Sequence, residues 1–157
     1  MRKVIIAEKP SVGASIAKIV GANARRDGYF EGSGYAVSWC FGHLISQSPP
    51  EKYGQAYDCS PYAQDLKALP LIPDTWQYEI IQTKPRKGAS KAEIDKIKQN
   101  NDGVKKQFEV VKNLMLGADE IICATDAGRE GECIFRNVYN YAKCKKPFKR
   151  LWISSLE

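Results

Sequence analysis

No run of about 18 apolar residues occurs anywhere in the 157-residue sequence, so no stretch is long enough to cross a bilayer as a helix. The first apolar run, Val4-Ile5-Ile6-Ala7, is closed by Glu8 and is too short for the core of a secretory signal. A cytoplasmic protein with no membrane partner is therefore expected. The five cysteines (Cys40, Cys59, Cys123, Cys133, Cys144) are odd in number and contain no Cys-x-x-Cys pair, which argues against a disulfide framework or a zinc site. Cys123 and Cys133 read instead as small buried apolar residues. No GxGxxG follows the first apolar run and no Walker A motif is present, which removes the most obvious nucleotide-binding readings. There is one histidine, His43, and neither an internal repeat nor a low-complexity tract.

What is present is an ordinary globular composition: 43% hydrophobic and 27% charged residues, sized for one domain. The net charge of +6 fits a polyanionic partner without requiring one. Lys3–Ala7 reads as a buried strand of a parallel sheet. After Glu8-Lys9-Pro10, Ser11 can cap a helix in which Val12, Ile16, Ile19 and Val20 share a side and Gly21 closes the end. Residues 28–32 and 35–40 read as a hairpin across Ser33-Gly34. Ser46 to Trp76, rich in Pro and Tyr, reads as a long irregular excursion, and Tyr78–Ile81 as a short strand.

Residues 82–103 carry Lys84, Arg86, Lys87, Lys91, Lys96 and Lys98 and are expected to form a mobile loop flanking a short helix, here weighed as a solvated stretch. Val104, Phe108, Val111, Leu114 and Met115 mark an amphipathic helix ending near Gly117. A second buried strand follows at Glu120–Thr125, then the turn Asp126–Glu132, and a helix carrying Ile134, Phe135 and Val138. Residues 150–155 read as a last strand. Trp39, Trp76 and Trp152 each lie in or beside an apolar segment and read as core residues.

In open α/β sheets, ligands bind off the carboxyl ends of the strands. Two strand ends here carry acid beside base: Glu8 with Lys9, and Asp126 with Arg129 and Glu130. If those strands are neighbours, Glu8, Asp126 and Glu130 converge. Oxygen-only ligands without His or Cys suit a hard ion such as Mg²⁺. An acid that the metal does not hold becomes a candidate proton carrier. Taken singly, Glu130 and Glu132 have a plainer explanation, because acids in the first turn of a helix favour the macrodipole.

Five segments, in order, resemble type IA topoisomerases of the topoisomerase III group. They are Ile6-Ala7-Glu8-Lys9-Pro10-Ser11, Ser38-Trp39-Cys40-Phe41-Gly42-His43-Leu44, Leu69-Pro70-Leu71-Ile72-Pro73-Asp74-Thr75-Trp76, Ala124-Thr125-Asp126-Ala127-Gly128-Arg129-Glu130-Gly131-Glu132 and Arg150-Leu151-Trp152-Ile153-Ser154-Ser155-Leu156. The resemblance implies an α/β Toprim fold over residues 1–157: a Rossmann-like, mainly parallel sheet of about four strands between helices, with an inserted hairpin and long loop. It implies Glu8 as general acid/base and Lys9 as support for the scissile phosphate. Glu8, Asp126 and Glu130 would form the Mg²⁺ site, and Lys9, His43 and Arg129 would contact single-stranded DNA. The family's Asp-x-Asp-x-Glu motif has Gly128 in the place of its middle acid, which removes one carboxylate. The tyrosine nucleophile belongs to a later domain, so the chain is expected to be part of a longer enzyme, to partner its remaining domains and to be inactive alone. The alternatives are another Toprim protein, such as a primase or nuclease, or a non-catalytic α/β binding module.

Overall fold

The computed structural model describes residues 2–53 and 72–152. Strand β1 (Lys3–Ala7) lies centrally in a six-stranded sheet. Its neighbours are β4 (Tyr35–Trp39) and β7 (Glu120–Ala124), both parallel to it, with Ala7 level with Trp39 on one side and Ala124 on the other. Strand β8 (Phe148–Arg150) extends the parallel block beyond β7. These four strands are the expected parallel core. The hairpin is part of the sheet: β3 (Tyr29–Gly32) runs antiparallel to β4, and β2 (Ala24–Arg26), absent from the sequence reading, adds an edge strand. The order across the sheet is β2-β3-β4-β1-β7-β8. A separate two-stranded sheet joins β5 (Ile45–Gln47) to β6 (Tyr78–Ile80). Part of the stretch expected to be irregular is thus ordered, and it includes a 3-10 turn at Pro50–Tyr53. Residues 54–71, with Cys59 and the Leu69-Pro70-Leu71 part of the proline motif, lie outside the described residues.

Alternation along β1 builds two cores. Val4 and Ile6 face one layer with Phe108, Val111, Met115 and Phe135, whereas Ile5 and Ala7 face the other with Ile16, Ala17 and Val37. A strand buried on both faces needs a continuous apolar run, which is what Val4–Ala7 supplies. Helix α1 (Pro10–Val20) covers one face; α2 (Lys91–Leu116) and α3 (Arg129–Tyr141) cover the other.

Several boundaries differ from the sequence reading. The cap of α1 is Lys9, with Pro10 at the first helical position and Ser11 inside; proline suits that position because its missing N–H would be unsatisfied anyway. Gly21 closes α1 at φ 76°, as expected, but Ile19 is 83% exposed. Helix α2 is continuous where a mobile loop and short helix were expected. The Ser90 side chain accepts a bond from the Glu93 N–H, and the Glu93 carboxylate accepts one from the Ser90 N–H; this capping box starts the helix thirteen residues before Val104. Asn101 exchanges two bonds with the Thr83 backbone, which secures the weakly helical Asn-Asn-Asp-Gly segment from outside. The last strand sits earlier than expected, at Phe148–Arg150, with one further backbone bond from Leu151 to Cys123; residues 153–157 lie outside the described residues. Cys133 is exposed, not buried, because it falls on the outer face of α3. Trp76 and Trp152 are exposed too; only Trp39 of the three packs inward, against Phe30 and Gly13. No helix of the described residues is long and apolar enough to cross a membrane.

Candidate functional site

Parallel pairing of β1 with β7 delivers two chain turns to the same edge of the sheet. Ala7 and Ala124 are level, so Glu8 on one strand and Thr125-Asp126 on the other leave the sheet side by side. Glu8 is 8% exposed. A carboxylate at that depth needs partners. It has two: the Asp126 backbone N–H donates to Glu8 Oε2 at 3.3 Å, and Lys9 Nζ stands 3.7 Å from Glu8 Oε1. Lys9 Nζ is also 4.0 Å from Asp126 Oδ2, so one ammonium lies between two carboxylates from neighbouring strands. Asp126 is half-exposed and opens this arrangement to solvent.

The backbone around Glu8 is fixed from the β4 side. Cys40 N–H donates to the Ala7 carbonyl at 2.9 Å and Gly42 N–H to the Glu8 carbonyl at 3.3 Å. Gly42 takes a φ of 75°, a left-handed conformation open to glycine. Behind Glu8 lies the Cys40 thiol, pushed up to about 12 by burial first, then by Cys123 and Glu8. It remains a neutral, apolar floor to the site.

The turn after β7 is built more elaborately. Thr125 Oγ1 donates to the Gly131 carbonyl at 2.7 Å, closing the loop on the first turn of α3. Gly131 packs directly against Asp126: a Cβ there would overlap the Asp126 carbonyl oxygen and stand only 2.8 Å from the Asp126 nitrogen. Arg150, on β8, reaches across. Its Nη1 donates to the Thr125 carbonyl at 2.9 Å and its Nε to Glu132 Oε2 at 2.8 Å. Glu132 is bound from its other side by Arg136 Nε at 2.7 Å. The Arg136 hydrogen bond, with Arg150 adding to it, holds the Glu132 carboxyl below its ordinary value. Gly128, by contrast, has nothing within 4 Å of the place a Cβ would take, and a φ of −142°, which any residue adopts.

Glu8, Lys9 and Asp126 therefore come together as the sequence suggested. Glu130 does not join them. Its carboxylate is 76% exposed and is hydrogen-bonded to His43 Nε2, which places His43 beside the acidic loop and commits Glu130 to it. Among the described residues no three His, Cys, Asp or Glu side chains converge as a metal-holding group. Arg129 makes no hydrogen bond or ion pair among the described residues; it lines, with Gly128, Glu132, Arg150 and Trp152, a cavity of about 520 Å³ beside the loop. The sequence reading missed Arg150 and Thr125. Their partners lie on other elements or six residues along, a distance no local pattern reports.

The donor set fits a hard divalent cation. Glu8 and Asp126 offer carboxylate oxygens from two fixed strand ends, and such an ion takes one or two carboxylates with water and phosphate oxygens filling the rest. Lys9 offsets only part of the negative charge of this pair.

Comparison with known proteins identifies the family. The DNA topoisomerase 3 of Shouchella clausii is 40% identical over 157 residues, 99% of this chain and 18% of its own length. The DNA topoisomerase 3 proteins of Staphylococcus saprophyticus and Bacillus cereus are 39% and 40% identical, again over 99% of this chain. The chain thus spans about a fifth of the length of the curated relatives it matches. The family model of the Toprim domain, a family that binds divalent metal ions, matches residues 3–156, and the chain belongs to that family.

Proposed function

We propose that this chain is the Mg²⁺-binding part of a type IA DNA topoisomerase of the topoisomerase III kind, which cleaves and rejoins single-stranded DNA in concert with other domains of the same enzyme. The observation that carries the proposal is the buried Glu8 carboxylate, joined to Asp126 through a backbone N–H and sharing the Lys9 ammonium with it. Relatives that match nearly the whole chain bear the name DNA topoisomerase 3.

In this reading a tyrosine from another domain attacks a phosphodiester, forms a 5′-phosphotyrosine bond and expels a 3′-hydroxyl. Glu8 gives the leaving 3′ oxygen its proton and takes it back when the strand is rejoined. Its burial keeps bulk water from that exchange, and the Asp126 N–H fixes which oxygen faces outward. Lys9 places positive charge where the phosphate must sit. Asp126, with Glu8 as neighbour, would hold Mg²⁺, which would supply charge neutralisation at the phosphate oxygens. Glu130, in the first turn of α3, is held by His43 and would have to leave that pairing to contribute to a Mg²⁺ site. His43 and the uncommitted Arg129 line the path of the DNA strand.

The test is made in the complete enzyme. Glu8→Gln keeps shape and hydrogen-bonding reach but cannot carry a proton. It is expected to bind single-stranded DNA normally and to cleave an oligonucleotide at least ~100-fold more slowly, at every Mg²⁺ concentration. Asp126→Asn is expected to be partly rescued by high Mg²⁺. Near-normal cleavage by Glu8→Gln, or its rescue by Mg²⁺ as complete as that of Asp126→Asn, would make Glu8 a metal ligand and not the proton carrier.

A further inference from the structure

Most of the molecule's charge excess sits on one projection. Residues 82–106 hold eight Lys and Arg against three acids, a net +5 of the whole chain's +6. They form the strap before α2 and the first two-thirds of that helix. Gln107 marks where the helix passes the edge of the sheet: its amide donates to the carbonyl of Trp39, the last residue of β4, at 2.7 Å, and Val104 makes the last core contact beyond it. The other end of α2 lies at the opposite edge of the sheet, because Asp119, just beyond it, donates to the Arg2 carbonyl ahead of β1. From Gln107 back to Lys91 the helix therefore runs past the carboxyl edge, the edge that carries Glu8 and Asp126. At about 1.5 Å per residue it reaches about 24 Å beyond.

Buried apolar residues of α2 begin at Phe108; from Lys91 to Asn100 every residue is exposed except the half-buried Ile97. Its two large apolar residues, Ile94 and Ile97, are exposed and half-buried, so packing does little to stabilise this stretch, yet it is secured by its capping box, by the Arg86–Glu93 ion pair and by the Thr83–Asn101 bonds. Two of its cations are committed, Arg86 to Glu93 and Lys106 to Asp27. Lys84, Lys87, Lys91, Lys96, Lys98 and Lys105 are exposed and make no ion pair among the described residues. Lys91, Lys98 and Lys105 recur every seven residues, about 10.5 Å apart along one stripe.

We propose that this projection is a second nucleic-acid contact, gripping the phosphate backbone of a strand where it extends away from the acidic edge. The inference rests on the reading of that edge as a DNA-processing site. The chemistry is charge complementarity: unpaired ammonium groups on a rigid helix release counterions from a polyphosphate and give affinity without sequence preference.

The test uses the whole chain with Lys84, Lys87, Lys91 and Lys98 changed together to Ala, and a second variant with the same four changed to Arg. Binding to labelled single-stranded and duplex oligonucleotides is followed by anisotropy between about 50 and about 200 mM salt. The Ala variant should bind at least tenfold more weakly at the low-salt end. Its log–log salt slope should become shallower by about 0.7 for each phosphate no longer neutralised on single strands, or about 0.9 on duplex. The arm showing the larger loss identifies the form bound. The Arg variant should bind as the parent does, and unchanged far-ultraviolet circular dichroism shows that α2 remains helical. Parent-like affinity and slope for the Ala variant on both oligonucleotides would overturn the proposal, as would tighter binding of a polyglutamate peptide of matched charge. Failure of the catalytic reading is seen separately: it would leave this binding loss in place while Glu8→Gln still cleaved in the complete enzyme.

Discussion

The two turns that carry acid to the sheet edge solve the same problem in different ways. After β1 the chain passes from strand to helix within Glu8 and Lys9, and Glu8 is positioned by burial and by two backbone bonds from the chain just after β4. After β7 the turn is longer, and Asp126 stays half-exposed. It is positioned at a distance: Gly131 packs on its backbone, Thr125 ties the loop to α3, and Arg150 ties both to β8. The proposed roles match this difference: the group proposed to carry a proton is set into the core, whereas the group proposed to hold a metal is left open on a braced loop. Damage to the first turn should appear in chemistry; damage to the second should appear in stability and metal affinity together.

The largest effect should come from Gly131→Ala. The added carbon would overlap the Asp126 backbone, where neither side can yield without moving the loop. Overpacking of this kind costs about 1–3 kcal/mol or more, and urea denaturation should show at least that loss together with a weakened response to Mg²⁺. Parent-like stability would mean that the loop is not braced at Gly131.

Arg150→Ala should follow closely. It removes the donor to the Thr125 carbonyl and leaves Glu132 with Arg136 alone. Losing partners to a part-buried carbonyl costs about 1–3 kcal/mol. The same clamp carries a pH signature. Because the folded state lowers the Glu132 carboxyl, its contribution is present above the ordinary Glu value and is lost as pH falls through the lowered one. The gap between parent and Arg150→Ala should therefore narrow as pH falls through the lowered Glu132 value, leaving the pH-independent part that comes from the Thr125 carbonyl. Curves that stay parallel across that range would remove Glu132 from the clamp.

The smallest stability effect is expected at Gly128, only three residues from Gly131. Gly128→Asp meets open space at an ordinary φ and should change stability by no more than about 0.5 kcal/mol. It returns a carboxylate to the loop, so Mg²⁺ affinity should rise. No gain would show that the metal does not reach this position.

The sheet edge is legible in the sequence because its signals are local. Val4–Ala7 and Ile121–Ala124 are apolar runs too short for helices, the first followed directly by Glu8 and the second, after Thr125, by Asp126. What cannot be read is anything set by distant partners. The Arg150 clamp joins β8 to residues 18 and 25 positions earlier, and the His43–Glu130 pairing spans 87 positions. Glu130 is expected at the metal because its spacing matches a motif, but on α3 it pairs with His43. The start of α2 has a legible signal of its own: Ser90-Lys91-Ala92-Glu93 carries the Ser-x-x-Glu pattern of a capping box, masked by the poor helix formers at 100–103. Trp152 and Trp76 lie on the surface because an apolar neighbourhood in sequence does not determine which face a side chain takes.

Asp126, with Glu8 beside it, is proposed to hold a cation at the joined ends of β1 and β7. Titrating Mg²⁺ into the chain and following backbone amide shifts tests it most directly, because the Asp126 N–H itself lies on the Glu8 carboxylate. Saturable shifts at millimolar metal are expected, centred on residues 8, 9 and 126, strongly weakened in Asp126→Asn and smaller at Glu130. Shifts spread evenly over the surface, or centred elsewhere and unchanged in Asp126→Asn, would contradict it.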